Sequence, residues 1–492
     1  MFVLLFSFVL LCWLVLRRGK LKGNLPPVYP GCKPIIGHAH RLVGDGKQLW
    51  NLIQDIQRDC LKNGGVTLFR LGPEKYYVVC DPDDYITVMG TCLEKNYFYR
   101  KILNAWVGDG LVTAPVPVWK KHQKLLYPAF GQSVVDSFNG VQNSQARRLV
   151  HSLGDLVNKG PFEHLDHIAR SALETNLLTA FGLQKNMDTI MSYMKHFVEI
   201  RRIMTKRLQN CWMHNDFLYS WTDLKKQQEE ALKKLRALSD EIIQRKRRVM
   251  KDKQSNEGKS VEQGKQFKGF MDLILESSAS GALSDADIRA QVDTMVLAGF
   301  DTTSTTMAYA CVLIGSYPAV QEKMYAELED VFEGSDRDVE RGDLSRLVYL
   351  DAVLKEVGRL YPAAPVVIRY LDKDVKLQNY TMPAGSNCVL LISGLNRHQV
   401  WGSDREEFRP ERWLETASLP ENSNAFTGFS IGRRACIGKP YAVTLMKITL
   451  AHLLRHYRIK AEHRHLVLQL EIFLKPAEGC QISLEPRHVR MV

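Results

Sequence analysis

Residues 429–438 read FSIGRRACIG: a single cysteine, Cys436, between Gly432 and Gly438 and behind Arg433 and Arg434. Immediately downstream, GKPYAVTLMKITLAHLLRHY (438–457) has helical apolar spacing, which puts Cys436 just ahead of a helix N-terminus. Unpaired N–H groups and positive potential at such an end favour a thiolate over a thiol. The glycines let backbone come close to whatever the sulfur binds, and Arg434 offers a fixed cation to an anionic group. A cysteine among glycines is otherwise an ordinary loop, so the rest of the chain has to supply that sulfur with a partner.

A flat anionic metal macrocycle meets all three conditions, and axial thiolate ligation of haem iron is the role these residue types fit best. A second stretch bears on it. Ser284 and Asp287 in LSDADIRAQVDT form an S-x-x-D cap ahead of an apolar run that extends to about Tyr317, where Pro318 ends it. LAGFDTTST (297–305) then places Gly299, Asp301, Thr302 and Thr303 in the middle of that helix. A mid-helix glycine costs roughly 1 kcal/mol against alanine, and a buried carboxylate costs more unless it is paired. Thr302 is expected to bond back to the carbonyl of Ala298 and bend the helix. The cluster reads either as a distorted groove for a small polar ligand, or as a surface patch on an amphipathic helix or a packing kink.

The bulk numbers exclude several classes. The chain has 492 residues, 45% hydrophobic and 24% charged, with no repeat, so it is globular. Lysine plus arginine number 66 against 54 acidic residues, a net charge of +12. No zinc-finger spacing, RNA-binding signature or basic arm accompanies that charge, so nucleic acid is not an expected partner. Ten cysteines without a C-x-x-C pair argue against a disulfide framework and a zinc site, and for a reducing compartment. Residues 223–268 are polar and charged and read as a solvated helix followed by a loop. Helical periodicity dominates from about 120 to 370, while GVTLFRLGPEKYYVVCD and CVLLISG read as strands of small sheets.

The N-terminus reads as a membrane anchor. MFVLLFSFVLLCWLVL (1–16) is apolar, slightly short of the usual span of about 17–25 residues. Arg17, Arg18, Lys20 and Lys22 follow it, which predicts a cytosolic body and argues against a cleaved signal peptide. Pro26, Pro27, Pro30 and Pro34 make residues 17–36 a basic stop and stiff hinge, leaving 37–492 as one catalytic domain. The glycosylation sequence at Asn379 is therefore expected to stay unmodified.

Taken together, these stretches resemble the cytochrome P-450 family. Its haem-ligand signature F-x-x-G-x-R-x-C-x-G is filled by Phe429, Gly432, Arg434, Cys436 and Gly438. AGFDTT (298–303) is similar to its oxygen-groove motif, KEVGR supplies Glu356 and Arg359 of E-x-x-R, and FRPERW (408–413) supplies Arg412. Anchor and hinge resemble the microsomal type, and the nearest likeness is to the animal clan of fatty-acid omega-hydroxylases and insect detoxification enzymes. The resemblance implies a mainly α fold with small β-sheets, haem b with an axial cysteine thiolate, and an endoplasmic reticulum membrane location.

It also implies roles. Cys436 would be the metal ligand, Phe429 would pack near its sulfur, and Arg434 with Arg369 (in APVVIRY) would hold the haem carboxylates. Asp301 and Thr302 would be the catalytic pair that delivers protons. Glu356, Arg359 and Arg412 would hold the fold. In WKKHQKLLYPAF the family's tryptophan and arginine, four apart, become Trp119 and Gln123. Trp119, His122 and Lys124 are then expected to compensate, with haem held more weakly. Ala298 replaces a glutamate that esterifies haem in several members of the clan, so the haem is expected to be extractable.

The implied reaction is monooxygenation of an apolar small molecule, a fatty acid, terpenoid, hormone or foreign compound. Electrons would come from NADPH through NADPH-cytochrome P-450 reductase, with cytochrome b5 as a further donor, to a monomeric enzyme. Lys120, Lys121, Lys124, Arg433 and Lys439 are expected to form the basic docking face. Two other readings keep the haem: a peroxide isomerase or dehydratase, disfavoured by the Asp301–Thr302 pair, and a sensor without turnover.

Overall fold

The computed structural model describes residues 25–256, 269–279, 281–421 and 425–487. The apolar run 1–16, the cations at 17–22 and the segment 257–268 lie outside the described residues. Among the described residues no helix is long and apolar enough to cross a membrane.

The body is helical. The helices that build the site are α1 (Gly46–Lys62), α2 (Tyr97–Val107), α3 (Val116–Leu126), α4 (Asn139–Gly154) and α5 (Leu165–Phe181). They are followed by α6 (Met187–Gln209), α7 (Asp223–Asn256), α8 (Asp285–Ser316), α9 (Val348–Leu360) and α10 (Lys439–His456). One four-stranded sheet lies to the side, made of β1 (Val66–Leu71), β2 (Glu74–Val79), β3 (Val366–Tyr370) and β4 (Asn387–Leu391), in the order β1-β2-β4-β3. A separate hairpin pairs β5 (Val467–Leu470) with β6 (Leu474–Glu478). Both expected strand regions are present.

β1 and β2 form a hairpin in the register Phe69↔Tyr76, and its turn places Gly72 at φ +57°, a left-handed conformation that favours glycine. β2 runs parallel to β4, and β4 pairs antiparallel with β3, setting Arg369 opposite Cys388. Helix α1, started by the Asp45–Gln48 capping box, covers one face of this sheet with Leu52 and Ile56.

α8 runs through the centre for 32 residues and is buried on all sides over most of its length. Its start is the expected Ser284–Asp287 box, and it ends at Ser316, with Pro318 opening the next helix. The polar notch does not break it. Thr302 Oγ1 donates to the Ala298 carbonyl at 3.1 Å and Thr306 Oγ1 to the Thr302 carbonyl at 3.0 Å, while the chain stays helical throughout. Gly299 has a packing reason: a Cβ there would sit 2.0 Å from Asn176 Nδ2 of α5.

α7 departs from its expected solvated character. Leu232, Leu235, Leu238 and Ile242 are buried on a stripe packed against α6 and α8. Spacing of three and four residues builds that face although lysine and glutamate dominate the composition.

Behind the cysteine loop, Glu356 and Arg359 are fully buried on α9. Glu356 Oε1 accepts from Arg412 Nε at 3.0 Å and from the Arg409 amide at 3.0 Å, and Oε2 accepts from Trp413 Nε1 at 3.0 Å. Arg359 donates to both Glu356 oxygens at 2.8 Å and to the carbonyls of Asn396 and Glu407 at 2.9 Å. Every charge in this buried group is met, the condition under which such a network is tolerated.

Candidate functional site

A cavity of about 2130 Å³ opens between α8 and the cysteine loop and reaches out past α1 and β1–β2. Its walls are mostly apolar, with Ile102, Leu103, Met204, Met295, Val366 and Phe473 among them.

The loop at its floor is built by two left-handed residues, Ser430 at φ 60° and Gly432 at φ 73°. They fold the chain back so that the Cys436 amide donates to the Phe429 carbonyl at 2.9 Å. A Cβ on Gly432 would press on the Met89 carbonyl at 3.3 Å, and one on Gly438 would meet nothing within 4 Å. The loop therefore leaves room above the sulfur. Phe429 packs against the main core, with the Lys439 ammonium 5.8 Å from its ring centre.

Cys436 is accessible, yet it lines the interior cavity. Burial raises its thiol pKa, while the Gly438 and Lys439 amides and the Lys439 charge oppose that rise. The amides at the helix end thus favour the thiolate, as their position ahead of the helix implies, and burial opposes them. A cation bonded to sulfur supplies what is lacking.

Among the cations that line the same cavity, Lys95, Arg369 and Arg434 bear on one another and have no carboxylate partner among the described residues. Arg434 donates to the carbonyls of Leu93, Leu111 and Ala114 at 3.3, 3.4 and 3.0 Å. Its guanidinium lies 4.1 Å from the centre of the Trp119 ring. Burial, then Arg369, pushes its pKa down to about 9. Arg369 donates only to the Ile368 carbonyl, at 3.3 Å, and its buried Nε has no acceptor. Lys95 donates to the Val112 carbonyl at 2.5 Å; burial, then the two arginines, lowers its pKa well below the usual lysine value. Three buried cations around one hollow are costly unless an anion joins them. A free thiol, glycines that leave space and unmatched cations fit a planar anionic metal cofactor.

α3 distributes its side chains by helical rotation. Trp119 and Gln123 face the cavity. His122 is buried on another side, with Nδ1 2.9 Å from Gln291 Nε2 and Nε2 3.7 Å from Asp287 of α8. Lys124 is exposed and off the cavity wall. Trp119 thus joins the cavity, whereas His122 and Lys124 do not.

Across the cavity stand Ala298, Gly299, Thr302 and Thr303. Asp301 points elsewhere. It is buried beside the β5–β6 hairpin, and its Oδ1 accepts from Lys475 Nζ at 2.5 Å and Arg201 Nη1 at 3.2 Å. Its Oδ2 has no partner. Lys95, Arg201 and Lys475 carry no motif signal, since each is a single basic residue whose burial comes only from the tertiary packing.

Among the described residues all nine cysteines are free thiols, and no group of three or more His, Cys, Asp or Glu side chains is placed to hold a metal ion. A family model for cytochrome P450 matches residues 26–484. Cytochrome P450 4V2 of Rattus norvegicus is 30% identical over 468 residues, covering 92% of this chain and 88% of the relative. Cytochrome P450 4d2 of Drosophila melanogaster is 31% identical over 507 residues, covering 99% and 98%. Cytochrome P450 4c21 of Blattella germanica is 29% identical over 481 residues, covering 96% of each. A lone cysteine over a mostly apolar cavity, unmatched cations beside it and a match along nearly the whole chain converge: the protein belongs to the cytochrome P450 family of haem-thiolate monooxygenases.

Proposed function

We propose that the protein is a membrane-bound monooxygenase that inserts one oxygen atom of dioxygen into an apolar small molecule, with electrons from NADPH through a flavoprotein reductase. The observation that carries this reading is that Cys436 and Thr302 both line one mostly apolar cavity.

In this reading Cys436 would ligate the iron, with open space at Gly438 and the loop turned by Gly432 against Met89. Arg369, Arg434 and Lys95 meet the cofactor carboxylates, with Trp119 stacked on Arg434. His122 braces α3 against α8 through Gln291, and Lys124 belongs to the outer face. When bound, haem supplies the activation of dioxygen, and a thiolate ligand favours cleavage of its O–O bond. Thr302 Oγ1 would relay a proton into the cavity, releasing the hydrogen it now donates to the Ala298 carbonyl as its lone pair accepts another from a water. Asp301, one residue back, is held off the cavity by Lys475 and Arg201, so it would join the relay only through a water that brings the proton from outside. The apolar walls desolvate a hydrocarbon substrate and exclude bulk water.

Two surfaces support the partners. Lys120, Lys121, Lys124, Arg433 and Lys439 are exposed and without carboxylate partners among the described residues, which suits an acidic reductase or cytochrome b5. Trp212, Phe217, Leu218 and Trp221 are exposed large hydrophobics, as are Val28, Ile35, Ile36 and Val43. The two groups adjoin, because Gln209 Nε2 donates to the Asp45 carbonyl at 2.7 Å and Leu208 packs in the cluster that contains Leu42. Such a patch suits an endoplasmic reticulum membrane surface. A core that joins Ile102 to Leu484 supports one catalytic domain over 37–492.

The test is the spectrum of the dithionite-reduced protein before and after carbon monoxide, beside Cys436→Ser. A strongly red-shifted Soret band that the variant lacks is expected. An unshifted band in folded wild type overturns the reading.

A further inference from the structure

Asp301 and Thr302 are adjacent in sequence yet part company in space: Thr302 lines the cavity and Asp301 does not. What holds the carboxylate away is a buried cluster drawn from three elements. From β6 comes Lys475, whose ammonium donates to Asp301 Oδ1 at 2.5 Å, to the Asp301 carbonyl at 3.3 Å and to Thr305 Oγ1. All three of its N–H groups are therefore spent within one turn of α8. From α6 comes Arg201, which reaches Asp301 Oδ1 through Nη1 at 3.2 Å and Glu471, at the tip of the β5–β6 hairpin, through Nε. Glu471 lines the cavity, so the ion chain runs from the cavity wall to the carboxylate.

We propose that Lys475 is the positioning residue of the proton-handling pair: from β6 it pins Asp301 to the side of α8 turned away from the cavity, while Arg201 and Glu471 tie that pin to α6 and the hairpin tip. A lysine with every donor engaged on one turn of a helix fixes that carboxylate more strictly than an arginine shared between two acids. Lys475 is itself depressed to about 8 by burial, against the opposing pull of Asp301. The remaining groups that bear on the cluster are Tyr193 of α6 and Tyr309 of α8, both held neutral by burial. One Asp301 oxygen stays unpartnered, so the carboxylate keeps an open acceptor for a proton or a water. Displacement of the hairpin or of α6 therefore changes the partners of Asp301 without touching Thr302. The consequence for proton delivery rests on the monooxygenase reading; the geometry does not.

The experiment uses the haem-loaded full chain as wild type, Lys475→Met, Lys475→Arg, Asp301→Asn and the double variant Lys475→Met/Asp301→Asn. Unfolding by guanidinium reads the pair directly. Lys475→Met is expected to shift the unfolding equilibrium roughly hundredfold when Asp301 is present and far less in the Asp301→Asn background. Equal shifts in both backgrounds overturn the pairing. The second readout is hydrogen peroxide released per NADPH oxidised, with purified reductase and no added substrate, between pH 5.5 and 9. Lys475→Met leaves the carboxylate one cation instead of two, so the profile is expected to change shape and not only height. Lys475→Arg, which folds with the charge retained, is expected to overlay wild type. A profile of unchanged shape in Lys475→Met, lowered only in height, leaves a merely structural lysine and overturns the proposal. Loss of the carbon monoxide band in wild type would instead sink the monooxygenase reading, and the unfolding cycle would still judge the pair.

Discussion

Arg434 lies over the Trp119 ring at 4.1 Å, and the charge that bears on it most is that of another cation, Arg369. Stacking on an aromatic face offsets part of the repulsion but cannot replace an anion. The site is therefore strained toward binding one. Ala298 offers no carboxylate for an ester bond, so acid and organic solvent are expected to strip the haem and leave apoprotein. Arg434→Leu should then raise the thermal stability of refolded apoprotein by about 1–3 kcal/mol while lowering that of the haem-loaded form. Loss of stability in both forms would show that Arg434 serves packing alone.

Gln123 sits on the cavity wall one helical turn after Trp119. It can donate a hydrogen bond but carries no charge. Gln123→Arg would add a fourth cation to Lys95, Arg369 and Arg434 on the side where the carboxylates are expected. Transfer of haem to excess apomyoglobin should slow by roughly tenfold, the size of one charge-assisted hydrogen bond. An unchanged transfer rate would mean that Lys95 already meets this need.

Glu356 binds Arg359, Arg412, the Arg409 amide and Trp413 at once, and no part of it is exposed. Glu356→Ala takes from buried Arg359 its carboxylate partner and leaves Arg412 with Asp404 alone, and should cost about 3–5 kcal/mol in guanidinium unfolding. Glu356→Gln retains the shape and part of the bonding, and should cost less. If both variants lose haem without losing stability, the network acts on the cofactor and not on the fold.

The motifs that sequence exposes are those in which residue types repeat at fixed local spacing. The cysteine loop, the Ser284–Asp287 cap and the Glu356–Arg359 pair all lie within a few residues of chain, so local pattern finds them. Lys475 meets Asp301 across 174 residues, and the gap between Lys95 and Arg434 is longer still. Nothing local marks either lysine, because burial and partner come from the packing of distant elements. The rotation of α3 is a milder case: His122 and Lys124 sit close to Trp119 in the chain, yet helical geometry turns them to other faces.

Asp293 of α8 is buried, with one oxygen accepting from Ser239 of α7 and the other without a partner. Burial raises its pKa to about 6. The native state therefore holds this proton more tightly than the unfolded chain, whose aspartate titrates near about 3.9. Its contribution to stability is full below that value and is lost as pH rises through about 6. Asp293→Asn mimics the protonated form, and should stabilise the protein by about 2 kcal/mol at pH 7 and by almost nothing at pH 4. A gain equal at both pH values would mean that the carboxyl does not titrate in this range.

The exposed aromatic group at the α6–α7 connection gives the last expectation. Phe217 and Trp221 pair with ring centres 5.9 Å apart, and Trp221 remains 80% exposed. Trp212 stands 51% exposed nearby in the chain. Solvated aromatic rings cost free energy that a bilayer interface returns, since indole and phenyl rings partition to the headgroup region. A chain beginning at residue 25 lacks the apolar run yet retains this patch. It should bind neutral phosphatidylcholine vesicles in a flotation assay, with little loss at high salt because the contact is apolar. Replacing Trp212, Phe217 and Trp221 together by serine should release it to the soluble fraction, with the carbon monoxide spectrum unchanged. Binding that survives the triple replacement but falls with salt would assign the attachment to the basic surface instead.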